Sequence, residues 1–246
     1  MRSNKKLSET TELIAQGADG EALCAALRAI DIDVPTSLKV RTKRHTEIWT
    51  VARLLSTLAA ADRLSYPLTA NRRDKPDIVL TCGEHEIGVE ITQSTSPQFA
   101  AYCALAEREF PDALLEPAHF HWDAPRMSAD DMRAILRQSE LTSDGWIGDH
   151  PEREWACFIR DSWKTKLAKL RQADFAKYTH NWLAIYDNLP LDFIDLQTAL
   201  EYLRPSILEF WTQSPGFDAV FVEHKKTIVA LTTDGVDQLA LNELWA

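Results

Sequence analysis

The sequence predicts an α/β fold, a three-layer α/β/α domain built on one mixed central sheet, with a helical appendage ahead of it. Three observations carry that expectation. A helix-period apolar stripe runs to residue 61, paired β-branched runs fill residues 77–92, and a long amphipathic segment after residue 152 leads into another apolar run. With 246 residues, 45% of them hydrophobic, the chain is large enough to bury a sizeable core.

Taken in order, residues 7–30 read as two short helices broken at Gly17 and Gly20, and Pro35 closes this segment. The expected organisation is therefore an appendage at 1–40 and an α/β domain with helical insertions at 41–246. From Thr46 to about Ala61, Ile48, Val51, Leu54, Leu55 and Leu58 recur at helical spacing and form one stripe, with Glu47 at its border. The runs Asp77–Cys82 and His85–Thr92, separated by Gly83-Glu84, predict a β-hairpin. Residues 97–108 read as a helix and 117–122 as a strand. Residues 128–139 read as a helix capped by Ser128, with Asp130 and Asp131 in its first turn. After a loop at 140–151, a long helix is expected from Glu152 to Tyr178, then a strand at Trp182–Tyr186, helices near 194–213, and strands at Phe217–Glu223 and Thr227–Leu231.

Composition narrows the functional classes. The net charge of −10 argues against a protein that coats polyphosphate through bulk electrostatics, so any nucleic-acid site must be local. Candidate basic patches are Lys39, Arg41, Lys43, Arg44 and His45, then Arg72 and Arg73, then Lys164, Lys166, Lys169 and Arg171. Cys24, Cys82, Cys103 and Cys157 are scattered and form no CxxC pair, which points to reduced thiols. No run approaches the roughly 18 to 20 apolar residues of a membrane span, and residues 1–12 lack the apolar stretch of a secretory signal, so a cytoplasmic protein is expected. The P-loop, the dinucleotide-binding GxGxxG, the zincin HExxH and the hydrolase GxSxG are all missing from the sequence.

The hairpin carries the chemistry. Alternate side chains of a strand share a face, so Glu90 and Thr92 point together and Val89 and Ile91 point the other way. An antiparallel hairpin folded about Gly83-Glu84 brings Asp77 opposite Glu90. Two converging carboxylates repel when ionised, and a divalent cation such as Mg2+ relieves that repulsion while leaving room for a substrate phosphate.

Pro76-Asp77, a hairpin, then Glu90-Ile91-Thr92 resembles the signature of the PD-(D/E)XK, or restriction-endonuclease-like, nuclease superfamily. The resemblance covers mainly residues 46–93 and, more loosely, the helix and strand at 152–186. It implies a metal-dependent nuclease in which Asp77 and Glu90 bind Mg2+ or Mn2+, the carbonyl of Ile91 adds a ligand, and Glu47 is an accessory acid. Arg72, Arg73 and Lys169 would meet the nucleic acid, DNA being the expected substrate. The implied setting is bacterial defence or a mobile element, and a homodimer follows by analogy. Thr92 is the departure, because it stands where the family pattern has the lysine that helps activate water and offset transition-state charge. The departure opens a second reading, a nuclease fold without catalysis that serves as a binding or regulatory module.

The long helix offers a substitute. At 100° per residue, Trp155, Phe158, Ile159, Trp163, Leu167 and Leu170 form one stripe; Lys166 falls inside it, Lys164 points away and Lys169 lies at its edge. Two roles are open to Lys166: its stem lies along the apolar surface with the ammonium in water, or it turns inward to the carboxylate pair and replaces the missing lysine. Glu47 has a bland reading too, as an acid near the positive end of its helix. His119 and His121 alternate as if on one strand face, but no third metal ligand accompanies them, and most of the eight tryptophans fit core positions.

Overall fold

A computed structural model describes residues 11–32, 42–138, 141–191 and 193–245. The chain begins with strand β1 (Glu12–Gly17) and helix α1 (Gly20–Arg28), whose cap Asp19 accepts a hydrogen bond from the amide of Ala22. The prediction of two short helices here is half right. Residues 12–17 are extended because they pair antiparallel with β2 (Leu68–Arg72), so a sheet partner more than fifty residues away overrides local preference. The basic residues Lys39 and Arg41, and Pro35, lie outside the described residues.

Helix α2 (Lys43–Ala60) starts three residues earlier than the apolar stripe suggests. Thr42 caps it, with its hydroxyl accepting from the His45 amide while His45 Nδ1 accepts from the Thr42 amide. Strands β3 (Ile78–Cys82) and β4 (His85–Ser94) form the predicted hairpin, with Gly83 at φ 61° in the turn. They are followed by α3 (Pro97–Glu109), α4 (Ala129–Leu136), α5 (His150–Leu170), β5 (His180–Asp187), α6 (Leu196–Ser206) and α7 (Leu208–Trp211). The chain closes with β6 (Ala219–His224), β7 (Thr227–Thr232) and β8 (Gly235–Ala240).

The eight strands form one sheet in chain order. It is mixed: β5 and β6 run parallel, whereas β1 through β4 and β6 through β8 are joined by antiparallel pairings. The α/β class with a mixed sheet is thus as the sequence predicts, with seven α-helices among the described residues. No helix among them is long and apolar enough to cross a membrane.

The chain divides into two compact units. The first comprises 1–92, 165–186 and 211–246 and holds nearly all of the sheet. Its core packs Val51, Leu54, Leu55 and Leu58 of α2 with Leu68, Ile78, Leu80, Val89 and Ile91 of the sheet, all almost fully buried. Burying these side chains stabilises the unit by roughly 1.5–3 kcal/mol each. Val89 and Ile91 therefore face α2, and the strand alternation turns Glu90 to the other side. Gly88, two residues before Glu90, is required by a close approach: a Cβ there would lie 2.7 Å from the Tyr178 ring.

The second unit comprises 93–164 and 187–210. Tyr102, Leu105, Phe120, Met132 and Leu136 form its α3/α4 core, beside a cleft of about 740 Å³ lined chiefly by Pro97, Ala101, Leu105, Met127 and Met132. Trp155 and Trp163 are completely buried, as core packing requires. Trp155 Nε1 donates to Asp187 Oδ2 at 2.6 Å, and Trp163 packs against Phe210. Residues 117–122 are not the predicted strand. Pro117, which has no amide hydrogen to give a ladder, opens a 3-10 turn at Pro117–His119. His119 then bonds Glu116 and Thr142, and His121 bonds Glu154, so the two imidazoles serve separate carboxylates. Helix α5 stops at Leu170, well short of Tyr178, where the polar run Arg171-Gln172 ends the apolar stripe and the Gln172 amide closes a tight turn on the Lys169 carbonyl.

Candidate active site

The hairpin register puts Ile78 opposite Val89, which extends to Asp77 opposite Glu90 and sets both side chains on one face of the first unit's sheet. Both are buried. Asp77 Oδ2 accepts the amide of Ile91 at 2.8 Å across the strands, which fixes the carboxylate against the hairpin. Its other oxygen, Oδ1, accepts from Lys43 Nζ at 2.7 Å.

Lys166 turns inward. Its side chain is 8% exposed, and Nζ donates to Glu90 Oε1 at 2.6 Å and to the Ile91 carbonyl at 2.5 Å, with Asp77 Oδ2 3.8 Å away. The helical stripe that places Lys166 among apolar neighbours is what drives the ammonium to this face, since a buried lysine requires charged or polar partners. Of the two roles open to it, the inward orientation is the one adopted. Lys164 and Lys169 are both exposed.

Glu47 joins from α2. It lies in the second turn, because the helix starts at Lys43, and so does not sit in the first turn where a carboxylate complements the helix dipole. It is almost fully buried: Oε1 lies 2.8 Å from Lys43 Nζ, and Oε2 accepts from Arg72 Nε at 2.7 Å. Arg72 is thus turned into the acid cluster. Arg73 donates to the Tyr178 hydroxyl at 3.3 Å, and its amide bonds the Asp77 carbonyl. Thr92 is half-buried, on the Glu90 side of its strand by alternation.

The sequence reading assigns Lys43 to a basic patch and misses its place in this cluster. The signal was available in its four-residue spacing from Glu47, which puts the two on one helix face. Of the other described residues of that patch, Arg44 bonds Glu12 and His45 completes the helix cap.

Three carboxylates, Glu47, Asp77 and Glu90, therefore meet three cations, Lys43, Arg72 and Lys166. Burial holds the Glu90 carboxyl above its ordinary value, with the Asp77 charge adding and Lys166 opposing. Burial likewise raises Glu47, where Asp77 adds and Lys43 and Arg72 oppose. The cluster's preference is for less negative charge than three free carboxylates bring.

The donor set suits a hard divalent cation: carboxylate oxygens of Glu47, Asp77 and Glu90, and the Ile91 carbonyl. One further observation fits. Glu90 Oε2 is buried without a hydrogen-bond partner, an arrangement that costs stability unless a cation completes it. As the side chains stand, no three His, Cys, Asp or Glu side chains among the described residues are gathered tightly enough to enclose a metal, and Lys43 and Lys166 bond the oxygens of Asp77 and Glu90. No family model, curated protein or solved structure matches the chain.

Proposed function

We propose that this chain is a metal-dependent phosphodiesterase of the PD-(D/E)XK type that cleaves nucleic acid, DNA being the favoured substrate. The observation that supports this most is the position of Lys166, whose ammonium lies 2.6 Å from Glu90 on the face of the hairpin that Asp77 shares. It stands beside the second acid of the motif, where the family lysine would act if Thr92 were lysine.

In this reading Asp77, Glu90 and the Ile91 carbonyl hold Mg2+ or Mn2+, and Glu47 is the accessory acid. When bound, the cation polarises the scissile phosphate and lowers the pKa of a water ligand. Lys166 orients the attacking water from the Glu90 side and offsets the charge that develops on phosphate oxygens. Arg73 and Lys169 lie on flanking segments and would meet the phosphate backbone locally, which a net charge of −10 requires of any such site. The restriction-endonuclease-like core, a homodimer, a cytoplasmic setting and a role in bacterial defence or in a mobile element belong to the same proposal.

One observation favours a second reading, a nuclease fold kept as a metal-free binding or regulatory module: each buried acid already has a cation at bonding distance. Incubating the purified protein with supercoiled plasmid, linear DNA, single-stranded DNA and RNA, with Mg2+ or Mn2+, separates the two. Cutting that needs the metal and falls at least about 100-fold in Glu90→Ala supports the nuclease. A folded protein that cuts none of the four substrates supports the module.

A further inference from the structure

Lys43 and Lys166 both bond the acid cluster, but they are held differently. The Lys166 side chain is 8% exposed and emerges from the middle of a buried helix face, so its ammonium has nowhere else to go. The Lys43 side chain is 64% exposed, yet its Nζ reaches between two nearly inaccessible carboxylates, 2.7 Å from Asp77 Oδ1 and 2.8 Å from Glu47 Oε1. It is also the first residue of α2, where the unpaired amides of the helix end disfavour a positive charge. A lysine placed against that preference, with a solvated stem and a head bridging two acids, resembles a removable cation more than a packing element.

We propose that Lys43 is a built-in substitute for a divalent cation, bridging Asp77 and Glu47 in the metal-free protein and swinging into solvent when a metal takes those oxygens. The inference rests on the metal-dependent reading above and deepens it, because it makes metal loading a competition with a tethered ammonium. Release is inexpensive, since the stem already lies in water and few apolar contacts are lost. Lys166 keeps its bond to Glu90 Oε1 during the exchange, so the cation meets Glu90 through Oε2, which has no hydrogen-bond partner, and shares the Ile91 carbonyl. The metal-free site then remains close to neutral and stable, and the metal must displace one positive charge to enter.

The test is calorimetric titration of the full chain with Mn2+, comparing the wild type with Lys43→Gln and with Lys43→Arg, which keeps the charge. Lys43→Gln is expected to bind Mn2+ at least tenfold more tightly, equivalent to about 1.4 kcal/mol, with Lys43→Arg near the wild type. Because Lys43→Gln leaves two buried carboxylates facing one another and can fail to fold, a second measurement uses the unaltered protein. Acylation of Lys43 by an amine-reactive ester, followed by mass spectrometry, should rise severalfold when Mn2+ is added. Equal or weaker Mn2+ affinity in Lys43→Gln, or unchanged acylation of a wild type that binds Mn2+, overturns the competition and leaves the nuclease reading standing. Folded wild-type protein that binds no Mn2+ overturns both.

Discussion

Replacing Lys166 by methionine keeps the length and most of the volume of the side chain but removes the ammonium that meets Glu90 Oε1 and the Ile91 carbonyl. Glu90 Oε2 has no hydrogen-bond partner, so the variant leaves a buried carboxylate with neither oxygen bonded. Removing one member of a buried ion pair typically costs about 3–5 kcal/mol, chiefly through the uncompensated charge that remains. In a chain of this size 1 kcal/mol corresponds to about 2–4 °C in Tm, so Lys166→Met should melt about 6–20 °C below the wild type. The assay is thermal unfolding by circular dichroism at pH 8 with a chelator present. Two internal checks sharpen it. The penalty should shrink as pH falls, because burial already holds the Glu90 carboxyl above its ordinary value and favours its protonated form. The double variant Lys166→Met/Glu90→Gln should recover most of the loss, because the uncompensated charge is gone. A Lys166→Met protein melting within about 2 °C of the wild type at pH 8 would refute the buried pair and, with it, the inward lysine on which the proposed mechanism depends.

Two further outcomes follow from the same cluster. Glu47 and Glu90 are both raised above the ordinary glutamate value of 4.5, mainly by burial, so the folded state binds more protons than the unfolded state above that value. Above that value, metal-free stability measured by urea unfolding should therefore fall as pH climbs through the raised values, with saturating Mn2+ flattening the slope, while at lower pH the carboxyls held low by their partners, Glu109 and Glu116, work the other way. A metal-free stability that rises over this window would contradict the burial of the two acids. The substitution of one lysine for another can be tested by reversal. Lys166→Met should lose about 100-fold or more in cleavage, and adding Thr92→Lys, which places an amine two residues after Glu90 on the same strand face, should restore at least tenfold of it. No recovery in a folded double variant would mean that Lys166 acts by some means other than supplying the motif amine.

Much of the site is legible in the sequence because it is made by short-range patterns. The β-branched runs around Gly83-Glu84 define β3 and β4, and a hairpin centred on that turn, together with the two-residue period of a strand, puts Asp77 and Glu90 on one face, the register the structure has. Plotting α5 at helical steps places Lys166 in the stripe of Trp163, Leu167 and Leu170 but leaves its ammonium free to turn inward or to reach solvent, and only the structure shows the inward turn. What fails is what depends on distant pairing or on an element's boundary. Residues 12–17 lack a clear strand alternation and become β1 only through β2, itself a short run, Leu-Thr-Ala-Asn-Arg, in which only Leu68 and Ala70 are buried. β8 escapes notice because it lies at the sheet edge, where exposed residues give no core pattern. Lys43 is misjudged because the apolar stripe begins after it, while the Thr42–His45 cap that actually starts α2 lies in a stretch that reads as a basic patch.

The bond between Lys166 and Glu90 spans 76 positions of the chain. In the family pattern the equivalent amine lies two residues after the acid and arrives with the hairpin itself. Here the hairpin can form early, from local contacts, while its lysine waits for the whole of residues 93–164 to be made and for a long loop to close. Until then Asp77 and Glu90 face each other without that amine. A chain cut or stalled before α5 carries the acids of the site without Lys166, so the cluster of ion pairs is complete only once the first unit's three chain segments have come together.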